Sequence, residues 1–143
     1  MAKGMTTMAV VEMVPAVDRI TEVFDLAGHP VRLRVLMMLG DTGRLALSPR
    51  EMTDMLNERA VREAEPRASE TRVAALVKQR RTDGLGFTLG TVSYHVRVLD
   101  DAKQIKLKRT GQVRGAIAHF YVLSPEGRKL YKKLLALAGR FDG

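Results

Sequence analysis

The sequence contains no cysteine among its 143 residues. Disulfide frameworks, thiolate zinc sites and cysteine nucleophiles are therefore excluded. No apolar run approaches the roughly 20 residues that a membrane-spanning helix requires, and the first residues do not form the pattern of a secretory signal. We therefore expect a cytoplasmic protein with no membrane partner.

The composition is that of a globular domain. Hydrophobic residues make up 45% and charged residues 28% of the chain, proportions that separate it from collagen-like and wholly disordered sequences. A chain of this length buries roughly two-thirds of the surface that its unfolded form exposes. One hydrophobic core is expected.

The positive charge is unevenly distributed. Lys and Arg number 24 against 16 Asp and Glu, a net charge of +8. Residues 1–57 contain six basic and seven acidic residues, whereas residues 88–123 contain six basic and two acidic ones. Such a surface favours a polyanionic partner, with nucleic acid ahead of an anionic membrane. Solvated basic faces without a ligand are the alternative.

Capping residues mark the elements of the first half. Apolar residues at helical spacing predict a helix over residues 17–27, and Pro30 fits the first turn of a second helix. A short extended stretch follows at residues 45–47. The motif Ser48-Pro49-Arg50-Glu51 is a capping box with proline at the first helical position, so a third helix begins there.

The second half combines two more helices with a hairpin. Thr88 has the side chain of an N-cap, and β-type runs at residues 105–109 and 117–123, joined by residues 110–116, predict a hairpin with a basic tip. Ser124 caps a last helix. The apolar face predicted for the helix after Thr88 consists of Leu89, Val92, Val96 and Leu99, and that of the last helix includes Leu130, Leu134 and Leu137.

This order of elements is that of a winged helix-turn-helix. The segments LAGHPVRLRVL at residues 26–36, LGTVSYHVRVL at 89–99 and VRGAIAHFY at 113–121 resemble the ArsR-type (arsenic-repressor) transcription regulators, especially their actinobacterial helix-turn-helix branch. The predicted fold is mainly α with a small β-hairpin (α+β), a winged helix-turn-helix with a long insert before the recognition helix.

The resemblance implies a DNA-binding regulator, in most members a repressor. It implies a homodimer that places two recognition helices in successive major grooves of a pseudo-palindromic operator. The chain then divides into an N-terminal arm (1–15), a DNA-binding domain (16–123, with the insert 57–87) and a C-terminal dimerisation helix (124–143). Residues 88–99 become the recognition helix and residues 105–123 the wing.

The residues of these two elements suit DNA on physical grounds as well. A helix that enters the major groove presents small or hydrogen-bonding residues at its N-terminal end, where it approaches the base edges most closely. Basic residues on a wing suit phosphate contacts or the minor groove. The predicted DNA-binding residues are Thr88, Gly90, Thr91, Ser93, Tyr94 and Arg97 on the helix and Lys106, Lys108, Arg109 and Arg114 on the wing.

The sequence departs from the family between the two helices of the helix-turn-helix. About 3 to 4 residues normally join them, whereas about thirty lie between Leu56 and Thr88 here. A disordered loop is one interpretation. The other is an extra helix, which Ser69 could cap, that contacts a protein partner or contacts DNA through Arg72, Lys78, Arg80 and Arg81.

Neither metal sensing nor catalysis is predicted. Thiolates are absent, and the three histidines are scattered along the sequence. Ser93 and His95 are two residues apart on a helix and therefore point in different directions, and no glycine-rich phosphate loop follows a strand. We expect no enzyme activity and no cofactor, and any small-molecule or protein effector is unknown.

A different function is compatible with the same fold. A winged helix can act as a protein-interaction or dimerisation module without specific DNA binding, its basic charge serving solubility. The salt dependence of binding to random duplex DNA separates the two functions, because counterion release makes the affinity of a DNA-binding protein fall steeply with salt.

Overall fold

The computed structural model describes residues 28–142. The helix predicted over residues 17–27 and the arm at residues 1–15 lie outside the described residues. Within the described part, the chain forms an α+β fold of helices and a two-stranded hairpin, which confirms the predicted mainly α class with a small β-hairpin and is consistent with a winged-helix-like arrangement. Its elements are α1 (Pro30–Asp41), α2 (Pro49–Ala64), α3 (Glu70–Thr82), α4 (Leu89–Asp101), β1 (Ile105–Val113), β2 (Ala116–Leu123) and α5 (Pro125–Asp142).

The helices begin where the capping residues predict. The Ser48 hydroxyl accepts from the Glu51 N–H at 3.2 Å, and the Glu51 carboxylate accepts from the Ser48 N–H at 3.0 Å, which completes the capping box. Thr88 caps α4, and Nδ1 of His29 accepts from the Val31 N–H at the start of α1. The serine and threonine caps each contribute about 1 kcal/mol.

The segment between Leu56 and Thr88 is helical. α2 continues to Ala64, and α3 begins after Ser69, whose hydroxyl accepts from the Arg72 N–H at 3.2 Å. The two helices pack together, and the buried apolar residues of this region, Val61 and Val73, are each 2% exposed. The interpretation as a disordered loop is therefore wrong, and the alternative of an extra helix is confirmed.

The hairpin is longer and its turn tighter than predicted. The antiparallel ladder continues from Thr110 opposite His119 to Val113 opposite Ala116, so the predicted connection over residues 110–116 is wrong. Two residues make the turn, Arg114 with φ +52° and Gly115 with φ +80°. Positive φ at both central positions is the type I′ geometry, whose twist matches that of the strands it connects.

A third extended segment fixes the hairpin to the helices. Leu47 pairs with Tyr121 of β2 through backbone hydrogen bonds of 3.0 and 2.9 Å. This confirms the predicted extended stretch at Leu47. The inner end of β2 consequently has a strand neighbour on both sides, whereas its outer end pairs with β1 alone.

The larger of two buried apolar clusters in the described residues joins α1, α2, α4 and Leu130 of α5 to the base of the hairpin. The predicted apolar face of α4 is confirmed for Val92, Val96 and Leu99, which are buried, but it is wrong for Leu89, which is 41% exposed. The first turn of α4 lies at the edge of the core. The buried cluster is Val31, Val35, Leu36, Met38, Leu39, Leu47, Met52, Leu56, Val92, Val96, Leu99, Ile105, Leu123 and Leu130.

The start of α5 packs closely on the chain that leaves α4. The Ser124 hydroxyl donates to the Lys103 carbonyl at 2.6 Å and accepts from the Gly127 N–H at 3.0 Å. A Cβ on Gly127 would collide with the carbonyl oxygen of Gln104. Only glycine permits this approach.

The apolar stripe of α5 is largely used within the chain. Leu130 is 5% exposed and belongs to the core, and Leu134 packs against the core. Leu130 and Leu134 are therefore covered within the single chain. Among the α5 side chains that the structure describes, the large apolar ones that stay exposed are Leu135 and Leu137.

The described residues include no helix of the length and apolar character that crossing a membrane requires.

Candidate nucleic-acid interface

The polar face of α4 lies at the surface. Thr88, Gly90, Thr91 and Arg97 are exposed and Ser93 is half-buried. The Thr88 hydroxyl accepts from the Thr91 N–H at 3.2 Å and donates to the Thr91 hydroxyl at 3.0 Å. Thr88 is therefore occupied as a cap, whereas the hydroxyl proton of Thr91 remains available to an external acceptor.

Tyr94 extends the exposed face of α4 outward. Its side chain is 58% exposed, and its ring meets the ring of His95 edge-to-face with the centroids 5.0 Å apart. An exposed phenol with a fixed ring can donate a hydrogen bond to a phosphate or a base edge.

His95 supports α4 from behind. It is 5% exposed, and its ring stacks on that of His29 with the centroids 3.9 Å apart. Burial lowers the pKa of His95, and the nearby charges of His29 and Arg32 lower it further. The neutral imidazole therefore joins α4 to the start of α1 and does not face the surface.

The wing carries its cations on β1 and at its tip. Lys106, Lys108, Arg109 and Arg114 are all exposed. A bulge between Leu107 and Arg109 leaves Lys108 without a cross-strand partner. The Arg109 guanidinium lies 3.8 Å from the centroid of the Phe120 ring, a cation–π contact that fixes its position and keeps its charge at the surface.

An open cleft of about 750 Å³ separates α4 from the wing. It brings together three of the predicted residues, Ser93 and Arg97 from α4 and Arg114 from the turn. Lys106, Lys108 and Arg109 do not line it. The apolar side chains along the cleft include the exposed Leu89, Val113 and Ile117.

Arg50 is a cleft residue that the sequence-based prediction missed. It is exposed at the start of α2 and lines the cleft together with Arg114 and Arg97. The available signal was its place in the capping box, directly after the extended stretch that pairs with the hairpin. Only the pairing of Leu47 with Tyr121 shows that this box lies beside the wing.

Ion pairing leaves this side of the protein positive. Among residues 28–142, the four salt bridges join Arg34 to Glu63, Arg62 to Glu58 and Glu70, and Arg72 to Glu65. None of them involves a cation of α4, of the wing or of the cleft. The cations around the cleft are therefore free of ion pairs within the described residues, although the carboxylates of Glu51 and Asp100 also line it.

The described residues contain no group of three or more His, Cys, Asp or Glu side chains that could hold a metal ion. In comparisons with known proteins, no family model, no curated protein and no solved structure matches the chain significantly.

Proposed function

We propose that this protein is a sequence-specific, DNA-binding transcriptional regulator of the winged helix-turn-helix type. In this proposal it binds a pseudo-palindromic operator as a homodimer and acts as a repressor, as the ArsR-type resemblance implies. It acts in the cytoplasm, without a cofactor and without enzyme activity. The proposal leaves room for an effector but does not identify one.

The observation that carries the proposal is the distribution of polar and basic groups around one open cleft. Hydrogen-bonding side chains of α4 form one wall, and three arginines, Arg50, Arg97 and Arg114, come from three different elements. None of these arginines has a carboxylate partner among the described residues. Base edges are read by hydroxyls and guanidiniums, and phosphates are bound by cations in such an arrangement.

Gly90 supports the same conclusion. It lies in the first turn of α4, and a Cβ built on it meets no atom of the described chain within 4 Å. Nothing in the fold requires glycine there, although glycine in a helix costs up to about 1 kcal/mol relative to alanine. A partner that approaches the helix backbone closely, as a base pair does in the major groove, accounts for it.

The experiment has two parts. Selection from a random duplex pool identifies the preferred site, and fluorescence anisotropy then measures affinity for that site and for a scrambled duplex over a range of salt concentrations. Steep weakening with salt together with discrimination between the duplexes supports the proposal. A flat salt response contradicts it.

Two pairs of substitutions assign the roles. Thr91→Ala with Ser93→Ala removes base contacts, so the preferred site should lose about 10-fold of its advantage over the scrambled duplex. Lys106→Ala with Lys108→Ala removes phosphate contacts, so both duplexes should weaken alike, and the slope of log affinity against log salt should fall by about 2. The reverse pattern contradicts the assignment.

The homodimer is a separate part of the proposal. On the described part of α5, Leu135 and Leu137 are the large apolar side chains left exposed. Leu135→Gln with Leu137→Gln should shift the protein toward monomer in light scattering without loss of folding. If the double variant keeps the molecular mass in solution of the unaltered protein, α5 does not form the dimer interface.

A second candidate function rests on one observation. Leu89, Val113 and Ile117 form an exposed apolar edge of the cleft, and such edges are also typical of protein-binding surfaces. A winged-helix module for protein interaction would use this edge. It would show no discrimination between duplexes in the experiment above.

A further inference from the structure

The charges of α3 differ between its two ends. At the N-terminal end, Arg72 donates to the Glu65 carboxylate at 3.1 Å, and Glu70 accepts from Arg62 at 2.9 Å. At the C-terminal end, Lys78 and Arg81 are exposed and take part in no ion pair within the described residues. The first end is therefore neutralised by the protein itself, whereas the second is not.

The unpaired end of α3 lies beside the start of the recognition helix. Arg81 lines a shallow recess together with Thr88 of α4 and Arg50 of α2. Lys78 is one turn before Arg81, and residues three apart are neighbours on a helix surface. This recess is distinct from the cleft with the wing, although Arg50 and Leu89 line both.

The position of this recess is fixed by one buried side chain and by hydrogen bonds. Val73 is buried on α3. The backbone N–H of Leu85 donates to the Arg80 carbonyl at 2.7 Å and closes the end of α3. The side chain of Asn57 makes hydrogen bonds of 3.0 and 2.7 Å with both backbone groups of Phe87. Arg81 is thus attached to the same rigid unit as the start of α4.

We propose that the C-terminal end of α3, through Arg81 and Lys78 together with Arg50, is a second phosphate-binding surface that contacts the DNA backbone flanking the base pairs read by α4. The inference rests on the proposed function. In this inference, the insert extends the DNA footprint beyond the part that the recognition helix and the wing contact.

The recess also contains a carboxylate, and its negative charge provides a test. Asp54 is exposed on the same recess, one helical turn after Arg50. A phosphate held by Arg50 and Arg81 is repelled by this carboxylate. Asp54→Asn should therefore strengthen DNA binding several-fold at low salt, and high salt should abolish the gain because it screens exposed charges.

The main experiment compares Arg81→Gln with Lys78→Gln against a matched control on the same helix. Each lost phosphate contact makes the fall of log affinity with log salt less steep by about 0.9, and it weakens binding about 8-fold at 0.1 M salt. The double variant should lose between one and two such contacts. Arg72→Gln, which removes a cation already paired with Glu65, should leave the slope unchanged.

The duplex length locates the contact. With the selected site at the centre, the duplex is trimmed one base pair at a time from its ends. The unaltered protein should lose affinity when the flanking phosphates are removed, and the Arg81, Lys78 variant should be insensitive to the same trimming.

The outcomes separate this inference from the proposed function. In one outcome, the unaltered protein binds duplexes and discriminates between them, but the Arg81, Lys78 double variant, the Arg72→Gln control and Asp54→Asn all share its salt slope and affinity. The second surface is then refuted, and the proposed function stands. If no duplex is bound in a salt-dependent way, both are refuted. Equal losses in the variant and in Arg72→Gln also overturn the inference, because general charge then explains the effect.

Discussion

The amide of Asn57 pairs with both backbone groups of Phe87, 30 residues further along the chain. Its Nδ2 donates to the Phe87 carbonyl at 3.0 Å, and its Oδ1 accepts from the Phe87 N–H at 2.7 Å. Phe87 directly precedes the N-cap Thr88. This single side chain therefore closes the insert and joins α2 to the residue that precedes the cap of α4.

Asn57→Ala should destabilise the protein. Two partly buried backbone groups lose their partners, and a loss of about 1 to 3 kcal/mol in the free energy of unfolding is expected. Urea denaturation measures it. Gln79→Ala is the matched control, because the Gln79 amide donates to Asp83 at the exposed surface and its loss should change stability by less than about 0.5 kcal/mol. Equal effects of the two variants would contradict the role of Asn57.

Two glycines of α5 should respond to alanine with opposite signs. A Cβ on Gly127 collides with the Gln104 carbonyl, whereas a Cβ on Gly139 meets nothing within 4 Å. Gly127→Ala should lower the melting temperature, because the start of α5 must shift. Gly139→Ala should raise stability by up to about 1 kcal/mol through helix propensity. If Gly127→Ala keeps the melting temperature of the unaltered protein, the start of α5 does not pack on Gln104 as described.

The sequence predicts the starts of the helices far better than the extent of the insert. The cap at Thr88 and the box at Ser48 involve side chains that bond to backbone within three residues, so short-range chemistry determines them. The insert is different. Within the insert, its anchors are two isolated apolar residues, Val61 and Val73, in a charged stretch, and one buried valine in each helical part of the insert produces no periodic pattern.

The candidate site, too, is predictable from the sequence only where local contacts determine it. Exposure of the polar face of α4 follows from the spacing of its buried residues, which helical periodicity reveals. The position of Arg50 in the cleft depends on the pairing of Leu47 with Tyr121, 74 residues apart by their numbers. Similarly, an apolar stripe such as that of Leu130 indicates burial but not whether the cover comes from its own chain. Long-range contacts decide both.

The stability of the protein should fall as the pH is lowered through the titration range of histidine. Burial first, and then the charges of His29 and Arg32, lower the pKa of His95 in the folded state. Below the unfolded value of about 6.5, the unfolded chain therefore binds more protons than the folded one, and unfolding becomes more favourable. The loss should begin near pH 6.5 and continue down to the folded pKa.

His95→Phe should remove part of this pH dependence, since it keeps a buried ring without a titrating group. The measurement is urea denaturation between about pH 7.5 and pH 5.5, a range above most carboxylate titrations. His119→Gln is the control, because that imidazole is exposed, and it should retain the dependence. If the His95 variant keeps the full slope, another group is responsible.

Arg114 should show a conflict between stability and binding. It occupies the first central position of the type I′ turn with φ +52°, a conformation that costs a residue with a Cβ of order 1 kcal/mol. Asparagine adopts it readily and is favoured before glycine in this turn. Arg114→Asn should therefore raise the free energy of unfolding by up to about 1 kcal/mol.

The same substitution removes a cation that lines the cleft. If Arg114 contacts DNA, the salt slope should fall by about 0.9 and the affinity by about 8-fold at 0.1 M salt. Arg114→Lys is the control, because it keeps the charge and the strain, and both stability and most of the affinity should be retained. A stabilised Arg114→Asn that binds DNA as tightly as the unaltered protein would remove the wing tip from the interface. Unchanged stability would mean that the turn stores no strain. An Arg114→Asn variant that is more stable but binds DNA more weakly would show that the strained arginine at the tip serves DNA binding at the expense of stability.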